Sequence, residues 1–376
     1  VPLNQQSMKS HGVVVAHSPD PRGFASEHER ISVLEFARRL AALKDCDFGG
    51  MYEPSRHYPA HVYFVPTSTL VVQEAAALGI HGPDDLFGGV VPRPFVATKA
   101  ISHPLVAPGA AALDGWNPDF SARVGDAVLD GYTVFNHEDA CLAGSRLLAK
   151  GPIRLKPVRA AGGGGQCIAR DAGELRSRLG TMDPLEVSHG LVIEEHLREV
   201  RTVSVGQVKV ADLTASYFGF QRLTRNNRGQ EVFGGSDLSI VRGGLDALLA
   251  LDPAPEIRRA IGQSIGYDAA VRACFAGFFA SRINYDIALG RDAAGRSRSG
   301  VLEQSWRVGG ATGPEIAALE VFRRDPGRTR VHAAAFEVFG EGPEPPPHAI
   351  VHFRGIDPQV GPMTKYTVIE PDVDPR

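Results

Sequence analysis

The N-terminal part of the chain alternates between two periods of hydrophobic spacing, and this restricts the fold more than any other feature. Val13–His17 is a short apolar run of strand type, followed by a loop with Pro19 and Pro21. From Ser26 to Lys44, apolar residues recur near helical spacing (Ile31, Leu34, Phe36, Leu40, Leu43), which predicts a helix. His61–Pro66 is again strand-like. Ser68–Leu78 is a predicted helix closed by Gly79, a frequent residue type just past a helix end. Strand, helix, strand, helix predicts a small α/β domain over about 1–98, behind a leader over 1–12.

The same reading places strands at Tyr132–Phe135, Pro152–Pro157 and Leu191–Glu194, with helices at His137–Leu148 and Glu174–Leu179. Val200–Val210 and Leu213–Phe220 are consecutive antiparallel strands, and Glu231–Phe233 follows a polar turn. Glu256–Phe279 is a long helix. Arg282–Leu289 and Gly300–Trp306 form a hairpin, and Gly313–Phe322 is a helix. The tail after about 330 holds one or two strands and much proline. A chain of 376 residues needs two or three subdomains.

A formal net charge of −3 gives no electrostatic reason to bind nucleic acid or a membrane surface. No apolar run reaches the roughly 18–20 residues of a membrane span. Val1–Gln6 lacks a charged-then-apolar signal pattern. Cys46, Cys141, Cys167 and Cys274 form no metal-binding spacing, and the reading is a reduced, cytoplasmic protein. Two counts depart from the ordinary. Glycine makes up 42 residues, about 11% against a usual ~7%. The 40 basic residues are seven lysines and 33 arginines, so a lysine in a loaded place carries information.

Four patches combine chemistry-bearing residues. Lys156 ends a strand that runs into Gly162, Gly163, Gly164 and Gly165. Glycines let backbone N–H groups approach phosphate oxygens, and a lysine adds a point charge. No Lys-Ser/Thr follows these glycines, so this is not a Walker A loop. Leu191–Ile193 is apolar and ends abruptly in Glu194 and Glu195, with Leu197 beyond. A strand edge of that kind can offer backbone groups to an adenine and a carboxylate to ribose hydroxyls. In the predicted hairpin, Asn284 and Asp286 share one face, as do Glu303, Ser305 and Arg307. Paired carboxylates of this type hold Mg²⁺ against substrate phosphates. Lys99 is the fourth patch, at a domain junction.

In this order the motifs resemble the ATP-grasp superfamily, over about 96–322. Within it, the nearest likeness is an uncharacterised bacterial family known only as a domain of unknown function. The resemblance implies an α/β (α+β) ATP-grasp fold with an N-terminal domain over 1–98. The ATP-grasp domain would cover 99–330, with a small lid subdomain over about 130–198 and a metal-binding subdomain over about 199–330. Residues 331–376 would be a C-terminal extension. It implies that Lys99, Lys156 and Gly162–Gly165 hold the phosphates of ATP. Glu194, Glu195 and Leu197 match the adenine linker, and Glu199 the ribose acid, though its spacing is off. Asp286 and Glu303 match ligands for Mg²⁺, which Mn²⁺ can replace. Ser305 stands where the family commonly has Asn, which leaves Ser305 or Asn284 to complete the metal set.

Arg242, in a glycine-flanked loop over 233–244, and Arg282 and Arg307 are candidates for a substrate carboxylate or phosphate. Gly309–Gly313 opens a helix whose first N–H groups suit an anion. Gly262-Gln263-Ser264-Ile265-Gly266 fits the serine-elbow pattern but falls in a predicted helix, which excludes that use. The implied activity is ATP-dependent C–N (or C–S) ligation of a small carboxylate and an amine through an acyl-phosphate. No nucleic acid or membrane partner is implied; homodimers are common in the superfamily. An ATP-grasp phosphotransferase, or a nucleotide-binding sensor with degraded catalysis, is the alternative.

Overall fold

Four sheets organise the chain in the computed structural model, which describes residues 12–20, 22–159 and 165–370. The expected leader, Gly12 apart, and Gly162–Gly164 therefore lie outside the described residues. At the N-terminus, Val13–His17 is the middle strand of a parallel three-stranded sheet, between Asp47–Met51 and Val62–Pro66. The predicted helix spans Glu27–Leu43. Ser26 caps it by accepting from the Glu29 N–H, and the Glu29 carboxylate reaches back to the Ala25 N–H. Asp47–Met51 escaped prediction because Gly49 and Gly50 give it little strand propensity. The segment expected as helix over 68–78 starts as the strand Leu70–Val71 and becomes helical at Val72–Ala77.

Gly131–Val134, Leu191–Glu195, Ile153–Pro157 and Cys167–Ala169 form an antiparallel sheet in that spatial order. Helices His137–Leu148 and Ala172–Gly180 pack their apolar faces on it. The largest sheet has eight antiparallel strands. Their spatial order is Ser297–Ser305, Arg282–Arg291, Arg198–Val210, Leu213–Arg225, Glu231–Arg242, Arg330–Phe339, Gly361–Ile369 and Ile350–Asp357. Residues beyond 330, expected as an extension with one or two strands, thus contribute three strands to this sheet. Helix Pro255–Cys274 covers one face. Helix Thr312–Arg324 and the N-terminal helix cover part of the other.

Glu231–Arg242 corrects the expected loop over 233–244. Its glycines serve a bulge instead: Arg222 faces Gly235 while Leu223 faces Phe233, so Gly234 is extra. Gly235 has φ +137°, and a Cβ there would lie 1.9 Å from the Ala335 carbonyl oxygen, so no side chain fits.

Helix Thr312–Arg324 is tied to the sheet by a buried ion pair. Arg282 Nε lies 2.9 Å from Glu315 Oε2, and both side chains are excluded from solvent. The Tyr217 hydroxyl lies 2.7 Å from Glu315 Oε1. Burial alone would lower the Arg282 pKa, but the Glu315 carboxylate outweighs it and raises it. Removing one partner of such a pair strands the other's charge. Glu315→Ala should therefore cost about 3–5 kcal/mol in urea unfolding, whereas Arg258→Ala, at an exposed pair with Asp252, should be near neutral.

Candidate active site

A cleft of about 560 Å³ runs between the four-stranded sheet and one face of the eight-stranded sheet. Its floor is set by strand register. Asn284 lies opposite Ser305, and Asp286 opposite Glu303. The ladder then shifts, so that Ile287 faces Val301 and Leu302 is left without a partner. This bulge lets the consecutive residues Leu302 and Glu303 both face the cleft, which a regular strand forbids.

Asp286 accepts from Ser204 Oγ at 2.8 Å and from Asn284 Nδ2 at 2.9 Å. Burial, and then the charge of Glu303, push its carboxyl above the ordinary value. Lys99 Nζ sits 3.0 Å from Glu303 Oε2 and is itself buried. Facing carboxylates with hydroxyl oxygens beside them are a hard-oxygen donor set, and a divalent cation would offset the repulsion between Asp286 and Glu303. The residues therefore fit Mg²⁺ or Mn²⁺. Asn284 is already engaged, with its amide nitrogen on Asp286 and its oxygen 2.9 Å from the Tyr217 hydroxyl. It positions Asp286, while Ser305, opposite it on the neighbouring strand, also lines the cleft.

The opposite wall comes from Ile153–Pro157, where Arg154 and Lys156 alternate toward the cleft. Lys156 Nζ is 3.0 Å from Glu194 Oε1, and His103 Nε2 is 3.2 Å from Glu194 Oε2. Burial would raise the Glu194 pKa. The Lys156 charge, and then His103, override it and hold the carboxyl down at about 2. Glu195 bonds Arg298 at 2.6 Å and takes the Asp130 N–H. Both acids of the expected linker thus spend their side chains on protein partners. An apolar slot in the cleft is built by Leu197 with Leu129, Ala288 and Leu302.

Two expected residues are not brought to the site. Glu199 has φ +53°, is exposed, and faces Arg291 at 3.5 Å, outside the cleft. Arg242 donates to the Phe322 and Arg328 carbonyl oxygens, away from the cleft, because its residue belongs to a strand rather than a loop. Arg282 contributes to the cleft lining with its side chain almost wholly buried, held by Glu315. Arg307 lines the far end, with Nη1 donating to the Val308 carbonyl at 2.6 Å. Burial, then the nearby Arg282, lower its pKa. Of the glycine run, only Gly165 is described, at φ +67°. Sequence reading missed His103, Arg154, Ser204, Gln221 and Phe233. Arg154 was legible as the same-face neighbour of Lys156 at i−2. His103, Gln221 and Phe233 carry no local signal and arrive through tertiary packing.

Ser264 lies inside helix Pro255–Cys274 with its hydroxyl donating to Ala260 O, so it forms no elbow. Trp306 is fully buried in the core.

Residues 14–367 match the model of a family described as "Protein of unknown function (DUF3182)". The chain belongs to this family. No curated protein is similar to it in sequence. Solved structures are similar in fold. Biotin carboxylase from Campylobacter jejuni in a β,γ-ATP complex has a TM-score of 0.55 at 10% identity, over 96% of this chain and 87% of that chain. N5-carboxyaminoimidazole ribonucleotide synthetase in its ADP complex has 0.52 at 10% identity, over 96% and 93%. Phosphoribosylamine–glycine ligase from Thermotoga maritima has 0.51 at 14% identity, over 95% and 92%. These likenesses establish the ATP-grasp fold for this DUF3182 member.

The depressed Glu194 pKa makes a stability prediction. A carboxyl held below its ordinary value of 4.5 adds stability that is complete above that value and is lost as pH falls toward about 2. The expected contribution is on the order of 3 kcal/mol. Glu194→Gln should flatten the acid limb of stability against pH over that window, measured by urea unfolding. An unchanged acid limb would contradict the pairing.

Proposed function

We propose that this protein is a Mg²⁺- and ATP-dependent ligase that joins a small carboxylic acid to an amine, or to a thiol, through an acyl-phosphate. The observation that carries the reading is convergence on one cleft. A buried lysine, an apolar slot, facing carboxylates and an arginine beside a helix start line it from one end to the other. In this reading the lid is about 130–198 and the metal-binding subdomain about 199–330, with 1–98 packed behind.

The base would lie in the slot of Leu129, Leu197 and Leu302. Lys156 would neutralise phosphate oxygens, as would Lys99, which holds Glu303 close to the same point. Glu303 and Asp286, with Ser305, would hold Mg²⁺, which when bound offsets phosphate charge. Arg307, with Gly309 and Gly310 beside it, would hold the acid next to the γ-phosphate. A carboxylate oxygen attacks the γ-phosphorus and ADP leaves. The amine nitrogen then attacks the acyl carbon, inorganic phosphate leaves, and the nitrogen gives up a proton. The work of the protein is positioning and charge stabilisation, so no side-chain nucleophile is required.

Among the described residues no helix is long and apolar enough to cross a membrane. No disulfide joins the four cysteines among the described residues. A cytoplasmic enzyme, as monomer or homodimer, accords with this reading.

Calorimetric titration of the protein with ADP and Mg²⁺ tests the proposal. Lys156→Ala should weaken binding by roughly 10–100-fold, the range of a hydrogen bond to a charged group. The isosteric Asp286→Asn should remove the dependence on Mg²⁺ while the fold is retained. Wild-type affinity in both variants would defeat the site assignment. Accumulation of a phosphorylated acid as end product would favour a phosphotransferase.

A further inference from the structure

A second chamber of about 440 Å³ opens from the far end of the nucleotide cleft. The two share Phe233, Arg307, Gly309 and Gly310. The chamber lies between the start of the N-terminal helix Glu27–Leu43, the start of helix Thr312–Arg324 and the C-terminal strands. Gly310 keeps the passage: a Cβ there would sit 2.4 Å from the Phe233 ring.

Its lining has three chemical zones. At the mouth is the Arg307 guanidinium. The walls are apolar and aromatic, with Val33, Phe36, Phe336 and Tyr366, the last two stacked at 4.8 Å. The polar part of the lining includes Ser32, His28 and His352. Ser32 Oγ, His28 Nδ1 and His352 Nδ1 are buried with no hydrogen-bond partner among the described residues. Ser32 is 3% exposed and His352 6%. A buried polar atom left unpaired is costly, and such atoms around a cavity mark where a bound group completes the bonding. Burial holds His352 neutral, its pKa lowered to about 3, and fixes its ring with Nε2 2.8 Å from Thr367 Oγ1. Two of the other charged side chains form a pair and a third is hydrogen-bonded. Lys365 pairs with Glu337 at 2.8 Å, and Glu29 accepts the Ala25 N–H at 3.0 Å.

We infer that this chamber holds the acid substrate, and that the substrate is a ring-bearing carboxylic acid with a neutral hydrogen-bonding group at the end remote from its carboxylate. The inference rests on the ligase reading for the position of the carboxylate, at Arg307 beside the γ-phosphate. The ring lies between the aromatic walls, and the remote hydroxyl, amide or ring nitrogen meets Ser32 and the two histidines. Acetate or bicarbonate would leave most of the chamber and all three orphaned atoms unused. The volume falls in the ordinary range of small-molecule sites.

The test is calorimetry on the full chain with ADP and Mg²⁺ present. The probes are para-hydroxybenzoate, para-hydroxyphenylacetate and para-hydroxyphenylpropanoate, their counterparts without the hydroxyl, acetate and bicarbonate. At least one hydroxyaryl acid should bind saturably, about three- to tenfold more tightly than its counterpart. Ser32→Ala should erase that ratio without changing ADP affinity. Ala335→Phe, which fills the chamber from its wall, should abolish binding of the aryl acids and spare ADP. The inference is overturned if acetate or bicarbonate binds as well as every aryl acid, if none of the acids binds, or if the hydroxyl makes no difference in the wild type. ADP titrated alone reads the cleft separately. Aryl-acid binding retained without ADP binding would support the chamber's ligand and contradict the ligase reading.

Discussion

The register between strands Arg282–Arg291 and Ser297–Ser305 is the constraint on which the site depends. It sets Asp286 against Glu303 and Asn284 against Ser305. A slip by one residue would turn both carboxylates into the core formed by Ile283, Tyr285 and Ile287. Those three side chains, buried under helix Pro255–Cys274, are what hold the register. The polar face of the hairpin is therefore specified from its apolar face. The bulge at Leu302 then adds an apolar wall beside an acid on the same surface, so one hairpin supplies both an apolar wall and two facing carboxylates to the cleft.

Charge balance is the second organising principle. Lys156 shares Glu194 with His103, Lys99 has Glu303, and Arg282 has Glu315, all at 3.2 Å or less. Such buried groups cost desolvation that only close partners offset. The three pairs differ in what they do. Arg282–Glu315 lies wholly inside and fixes a helix to the sheet. Lys156, Glu194 and Glu303 line the cleft, with Lys99 holding Glu303 from behind the lining. A carboxylate that already orients a lysine reduces the rearrangement that binding an anion would require.

Much of the fold was legible because it rests on local periodicity. The N-terminal helix, the helix His137–Leu148 and the strands at 153–157 and 191–195 emerge close to their expected limits. The hairpin carboxylates were legible for the same reason, since strand alternation alone places Asp286 with Asn284 and Glu303 with Ser305. What failed was non-local. Arg242 looked like a loop arginine because four glycines surround it, yet Gly235 is there to let strand Glu231–Arg242 bend past Ala335. Glu194 and Glu195 read as solvated or ligand-binding acids, but Lys156, His103 and Arg298 come to them from distant parts of the chain. Glu315 carried no sequence signal, and only the packing of its helix onto Arg282 makes it a buried counter-ion. The second chamber had no sequence signature, because helix, loop and C-terminal strands each contribute only a few residues.

Anomalous diffraction from crystals grown with ADP and Mn²⁺ tests the central claim most directly, since manganese stands in for magnesium and is located without reference to any assumed site. The account predicts a manganese peak within about 2.0–2.6 Å of carboxylate oxygens of Asp286 and Glu303, with the adenine between Leu197 and Leu302 and phosphate oxygens at Lys156. A nucleotide bound elsewhere, or manganese without contact to either carboxylate, would contradict it.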